Sequence, residues 1–147
     1  MVNLESLYQE LILDHYKNPL NKGLSSEPSV SVHHVNPSCG DEVDLNLIVD
    51  GQQIVSVTWD GVGCSISQAS TSVLSDLVRG KGASEALRII DAFSEVMASK
   101  GSNSGDPDLL GDAVAFAGVS RYPARIKCAL LGWMALKDAM VQAKVIG

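Results

Sequence analysis

The chain has no run of about 18 consecutive apolar residues, so a helix that crosses a membrane is not expected. Basic residues are in deficit. Eleven Lys and Arg against seventeen Asp and Glu give a formal charge of -6, which would repel a phosphate backbone, so neither nucleic acid nor a membrane surface is an expected partner. Cysteine is sparse as well: three residues, at 39, 64 and 128, cannot all pair, and no C-x-x-C pair or secretory leader is legible. A reducing, cytoplasmic setting without a disulfide framework is the expectation. Internal repeats and low-complexity tails are also missing. With 147 residues the chain can bury roughly two-thirds of the surface its unfolded form exposes, and a single domain spanning 1–147 is expected.

The periodicity that is present reads as helix, three strands, then helices. Leu4, Leu7, Tyr8, Leu11, Ile12 and His15 recur at three- and four-residue steps, with Asn3 placed to cap and Asn18-Pro19 placed to stop. After a turn-rich stretch, Val30, Val32 and His34 alternate, as do Val43, Leu45, Leu47 and Val49, and then Val55, Val57 and Trp59. Asp50-Gly51 between the second and third runs predicts an antiparallel hairpin. From Cys64 the period becomes helical, with Ile66, Ala69, Ser70, Val73, Leu74 and Leu77 on one face. Another helix starts at Ser84, whose hydroxyl is placed to cap it, and points Leu87, Ile90, Phe93 and Met97 inward. Residues 100–108 read as an exposed loop, Leu109 to Phe116 as a short helical piece, and Ala124 to Lys144 as a last helix burying Ile126, Ala129, Leu130, Trp133, Met134 and Met140. This order predicts an α+β fold: a small three-stranded antiparallel sheet with helices packed on one face.

Each cysteine sits near the edge of an element. Cys39 lies in the tight segment Asn36-Pro37-Ser38-Cys39-Gly40-Asp41, where Gly40 frees the backbone and the Asp41 carboxylate can turn towards the same point as the thiol. Cys64 follows Asp60-Gly61-Val62-Gly63 at a helix start, where unpaired amides favour a thiolate. Cys128 is in the first turns of the last helix, about 200° from Ile126 and so off the stripe that Ile126, Leu130 and Trp133 define. A cysteine taken alone is more often a small buried hydrophobe. Three thiolates and one carboxylate would equally satisfy the tetrahedral demand of Zn2+, and the spacing leaves both readings open.

Other constellations carry less. Gly61-Val62-Gly63 resembles the opening of a dinucleotide-binding loop but lacks the third glycine and follows a strand in a meander. His15 falls on the apolar face of the first helix. His33 and His34 are strand neighbours and point to opposite faces, so at most one could approach Cys39.

Four segments taken together say more. Leu13-Asp14-His15-Tyr16-Lys17-Asn18-Pro19, Asn36-Pro37-Ser38-Cys39-Gly40-Asp41, Gly61-Val62-Gly63-Cys64-Ser65-Ile66-Ser67 and Tyr122-Pro123-Ala124-Arg125-Ile126-Lys127-Cys128 resemble successive motifs of the iron-sulfur cluster assembly family that includes IscU and the N-terminal part of NifU. The chain differs from the scaffold branch in having Lys127 where scaffold members have a histidine, and in the extra stretch around Ser99 to Ala117. Both features resemble the SufU branch. The resemblance implies an IscU-like fold, a zinc ion held by Cys39, Asp41, Cys64 and Cys128, and sulfur received from a SufS-type cysteine desulfurase for delivery to other iron-sulfur assembly proteins. It implies Cys39 as the acceptor, in keeping with its place on a glycine-containing turn, and leaves Arg125 either to steady the charged site or to serve as a surface cation. The competing expectation is a scaffold on which a [2Fe-2S] cluster is assembled by the same ligands.

Overall fold

The computed structural model describes residues 4–147; Asn3, the expected cap, lies outside them. Helix α1 (Leu4–Lys17) leads into strands β1 (Val30–Asn36), β2 (Asp41–Asp50) and β3 (Gln53–Val62), followed by α2 (Ser65–Leu77), α3 (Ala83–Ala98), the single turn α4 (Pro107–Leu110), a 3-10 segment (Gly111–Arg121) and α5 (Pro123–Gln142). The strands form one antiparallel sheet in the order β1-β2-β3. This is the expected α+β arrangement. The β2–β3 turn follows the Asp-Gly signal, with Gly51 at φ 59, a value glycine adopts without a Cβ penalty.

Register decides which side chains face the helices. Val32, Leu45 and Trp59 form one cross-strand row, and Val30, Leu47 and Val57 form the next. The row nearest the β1–β2 turn pairs Asn36 with Asp41, and both are buried. Helix α5 packs on β1 and β2, while α2 packs on β3, α1 and α5. The strand β3 contains an irregularity: Ile48 pairs with Ser56 and Val49 with Ile54, so Val55 has no partner. This extra residue turns Val55 outward and Ile54 inward. Strict alternation therefore misplaces Val55, as a bulge shifts the side-chain phase by one.

The helices also depart from the simple patterns. Leu7 is exposed, and Tyr8, Leu11, Ile12 and His15 make the inner face of α1. In α2 every residue from Ser67 to Ser75 is buried, because α1, β3 and α5 surround it. Its hydroxyls are satisfied locally and across helices: Thr71 Oγ1 donates to the Ser67 carbonyl, and Ser70 Oγ donates to the Ala129 carbonyl while accepting from Trp133 Nε1. Ser84 is not the cap of α3; Gly82 occupies that position and Ser84 lies exposed in the first turn. Leu87 is only half-buried. The helical piece expected to end at Phe116 continues as 3-10 helix to Arg121, burying Ala113, Val114, Ala115 and Phe116.

The largest correction concerns α5. Cys128, Leu131, Ala135, Leu136 and Ala139 join Ala129 and Trp133 in the core, whereas Ile126, Leu130 and Met134 are only half-buried. The apolar stripe read from the sequence is thus two ridges, and the inner one runs through Cys128. Small residues on that ridge let helices approach closely: a Cβ on Gly132 would collide with the Thr71 side chain of α2.

Candidate metal centre

The site forms where the inner sheet face ends. Asp41 opens β2 in phase with Val43, Leu45 and Leu47, so alternation carries its carboxylate into the interior. The preceding turn is closed by the Asn36 carbonyl, which accepts from the main-chain N–H groups of Cys39 (3.2 Å) and Gly40 (3.0 Å). Gly40, at φ +70, makes that turn possible and leaves Cys39 exposed at its tip. Cys64 is the N-cap of α2, and its main-chain N–H donates to Asp41 Oδ1 at 2.9 Å. Cys128 approaches from the second turn of α5, fully buried.

The ligating atoms of Cys39, Asp41 and Cys128 lie within 4.8 Å of one another. The two sulfurs are 3.2 Å apart, compared with about 3.8 Å for two sulfurs bound tetrahedrally at about 2.3 Å. Cys64 borders this trio, close enough to interact with the Cys128 thiol, although its sulfur is not within 4.8 Å of all three atoms. Asp41 Oδ2 is buried and, among the described residues, has no hydrogen-bond partner. A buried carboxylate oxygen left without a partner is costly, and a cation held beside it together with thiolates would remove that cost. The donor set therefore fits zinc, which takes sulfur and carboxylate oxygen in tetrahedral sites.

Surrounding groups reinforce this chemistry. Burial pushes the Cys128 thiol pKa up from its ordinary value, and its polar neighbours Asp41, Cys39 and Cys64 act in the same direction. The shift favours the neutral thiol, and a metal ion bound by this sulfur as a thiolate would displace its proton. Asn36 Nδ2 lies 3.9 Å from the same sulfur as a donor. Arg125 is exposed, with its pKa raised by the charge of Cys64 first, then by hydrogen bonding and charge at Cys128. Its guanidinium thus stands beside the thiols. Neither neighbouring histidine reaches them: His33 Nδ1 pairs with Asp44 at 2.7 Å, and His34 Nε2 with Asp138 at 2.8 Å, where the hydrogen bond to His34 lowers the Asp138 pKa. His15 instead joins α1 to Ser72 at 2.8 Å.

Gly63 was the functional residue hardest to read from sequence. With φ +147, it lies so close to Asp41 that a Cβ would occupy the position of the carboxylate. The Gly-Val-Gly segment is a cradle for Asp41, not a nucleotide loop. Gly61 makes the matching approach, since a Cβ there would be 2.5 Å from the Glu42 carbonyl oxygen.

A sequence model of the NifU-like N terminal domain matches residues 7–141. The chain belongs to this family. Among its relatives, the zinc-dependent sulfurtransferase SufU of Bacillus subtilis (strain 168) is 43% identical over 140 residues, covering 95% of this chain and 93% of the relative. The iron-sulfur cluster assembly scaffold protein IscU of Streptococcus pyogenes serotype M1 is 40% identical over 138 residues, covering 93% and 84%. The crystal structure described as that of an iron-sulfur cluster assembly scaffold protein for the SUF system (FiSufU), from Fervidobacterium islandicum AW-1, superposes with a TM-score of 0.80 at 36% identity, covering 94% of this chain and 99% of that one. A NifU-like domain with these relatives thus stands close both to a sulfurtransferase and to a scaffold.

Proposed function

We propose that this NifU-like domain is a zinc-dependent sulfur carrier that accepts persulfide sulfur from a SufS-type cysteine desulfurase and passes it to iron-sulfur cluster assembly proteins in the cytoplasm. The observation that carries this reading is the orphaned Asp41 Oδ2 beside paired thiols, one exposed and one buried. Cys39, Asp41, Cys64 and Cys128 would hold the ion, with Cys64 completing the set from the adjacent helix cap. Zinc, when bound, keeps thiolates deprotonated and has no redox chemistry of its own.

The roles of the residues follow from their anchoring. Cys128 is locked in a helix within the core, Asp41 is fixed by the sheet and the Cys64 N–H, and Cys64 is tied to the start of α2. Cys39 alone sits on an exposed turn, and it is the proposed acceptor. Its thiolate attacks the terminal sulfur of the partner's cysteine persulfide; a Cys39 Sγ–S bond forms, the partner's S–S bond breaks, and the electron pair leaves on the partner's thiolate. No external oxidant or reductant is consumed. Arg125 is proposed to steady the anionic thiolates and the incoming sulfur.

The similarity to a scaffold-named relative and to a scaffold-named solved structure favours a second reading, in which iron and sulfide are cargo assembled on the same residues. Lys127 argues against it: a protonated lysine has no lone pair to replace the histidine of scaffold members, and its side chain lines a cleft with His34, Val35 and Pro37. Purification without added metal, followed by metal analysis and desulfurase turnover with and without the protein, tests the proposal. One zinc per chain, no visible chromophore and accelerated turnover are expected. Iron with sulfide and no acceleration would support the scaffold instead.

A further inference from the structure

The half-buried ridge Ile126–Leu130 of α5 is unused by the metal centre. It forms one wall of a cleft of about 610 Å³, which Met97 and Ala98 of α3 wall on the other side. Lys100 and Arg121 stand at its mouth, and no carboxylate lines it. This is unusual for a chain of charge -6. Residues 113–137 contain Arg121, Arg125, Lys127 and Lys137 but no Asp or Glu. Among the described residues, neither Lys100 nor Arg121 has an ion-pair partner, whereas Arg79 and Lys137 do.

The two cations are placed, not merely present. The Gly101 N–H donates to Ser120 Oγ at 2.8 Å, which ties the turn after α3 to the end of the 3-10 segment. Arg121 packs its stem over Gly101, so closely that a Cβ there would be 2.7 Å from Arg121 Nε. Lys100 sits on the same turn at φ 54. An apolar floor with two unpaired cations at the rim complements an apolar side chain flanked by carboxylates. The cleft also continues through Pro123 into the helix start that carries Arg125.

We propose that this cleft is a docking site for an acidic, apolar segment of the sulfur-donating partner. The proposal rests on the sulfur-carrier reading, and it assigns to Lys100 and Arg121 the recognition of partner carboxylates while Ile126 and Leu130 receive the apolar side chain. Docking beside the N-terminus of α5 would present the partner's persulfide at the face where Cys39 is exposed.

The test compares the zinc-loaded parent chain with Lys100→Glu/Arg121→Glu, titrated against a SufS-type desulfurase at low and high salt. Both residues are exposed, so folding and zinc content should be retained and are measured alongside. The proposal predicts binding at least about tenfold weaker for the variant, because reversed charges meet like charges, and a parent affinity that falls with salt far more steeply than the variant's. Equal affinity for the two proteins, with transfer intact, overturns the docking site and leaves the sulfur-carrier reading standing. Absence of both binding and transfer in the parent overturns both. Light scattering that shows a parent dimer and a variant monomer would mean that this face receives a second copy of the chain, which also overturns the proposal.

Discussion

At the scale of single residues, Asp41 has the most constrained environment. Its Oδ1 accepts from the Cys64 N–H, while among the described residues its buried Oδ2 has no hydrogen-bond partner. Asp41→Ala should weaken zinc binding by more than about tenfold and raise reactivity towards thiol reagents, since three thiolates then share an open position. Competition with a chromophoric chelator and thiol titration check both effects; unchanged values would mean that the carboxylate is not a ligand. Gly63→Ala addresses the same group from outside. A Cβ there displaces the carboxylate, and overpacking of this kind costs about 1–3 kcal/mol. The expected outcome is weaker zinc binding with all four proposed ligands still present, measured by the same competition. The proposed donors Cys39, Asp41 and Cys64 were legible because they occur at element edges. The burial of Cys128 was not, because Ile126, Leu130 and Trp133 suggested a single stripe, whereas α5 is covered by the sheet on one side and by α2 on another.

At the scale of elements, the crossing of α2 and α5 holds two of the proposed ligands in place. Gly132 sits against Thr71 with no room for a side chain. Gly132→Ala should destabilise the chain by about 1–3 kcal/mol, and adding Thr71→Ala should recover part of that loss; denaturant unfolding of the two single variants and the double variant gives the coupling directly. Strictly additive losses would show that the helices do not meet there. The meander was readable from its alternation and from Asp-Gly, and the long helices from their period. What escaped was set by tertiary packing. Val55 changes side because β3 gains a residue, and Ser84 is displaced as a cap because Gly82 enters α3 with extended backbone (φ -68, ψ 152). The 3-10 path to Arg121 likewise depends on a buried run of small and aromatic residues that has no 3.6-residue rhythm.

At the scale of the whole molecule, the proposed ligands come from the β1–β2 turn, the start of β2, the cap of α2 and the body of α5. A bound ion therefore cross-links the sheet to two helices, and its binding energy becomes folding energy. With zinc a thousandfold above its dissociation constant, the linkage is about 4 kcal/mol, or roughly 10 °C in melting temperature for a chain of this size. Stripping the metal with a chelator should lower the thermal transition by that order, and zinc should restore it. An unchanged transition would remove the structural part of the metal's role.

The central claim is that sulfur arrives on Cys39, the one thiol of the site carried by an exposed turn. It is tested most directly by peptide mass mapping after the zinc-loaded protein is mixed with a SufS-type desulfurase and free cysteine. The account predicts the added mass of one sulfur atom on the peptide that contains Cys39, with loss of that signal and of desulfurase acceleration in Cys39→Ser. Sulfur found on the peptide of Cys64 or of Cys128, or full acceleration by Cys39→Ser, would contradict it.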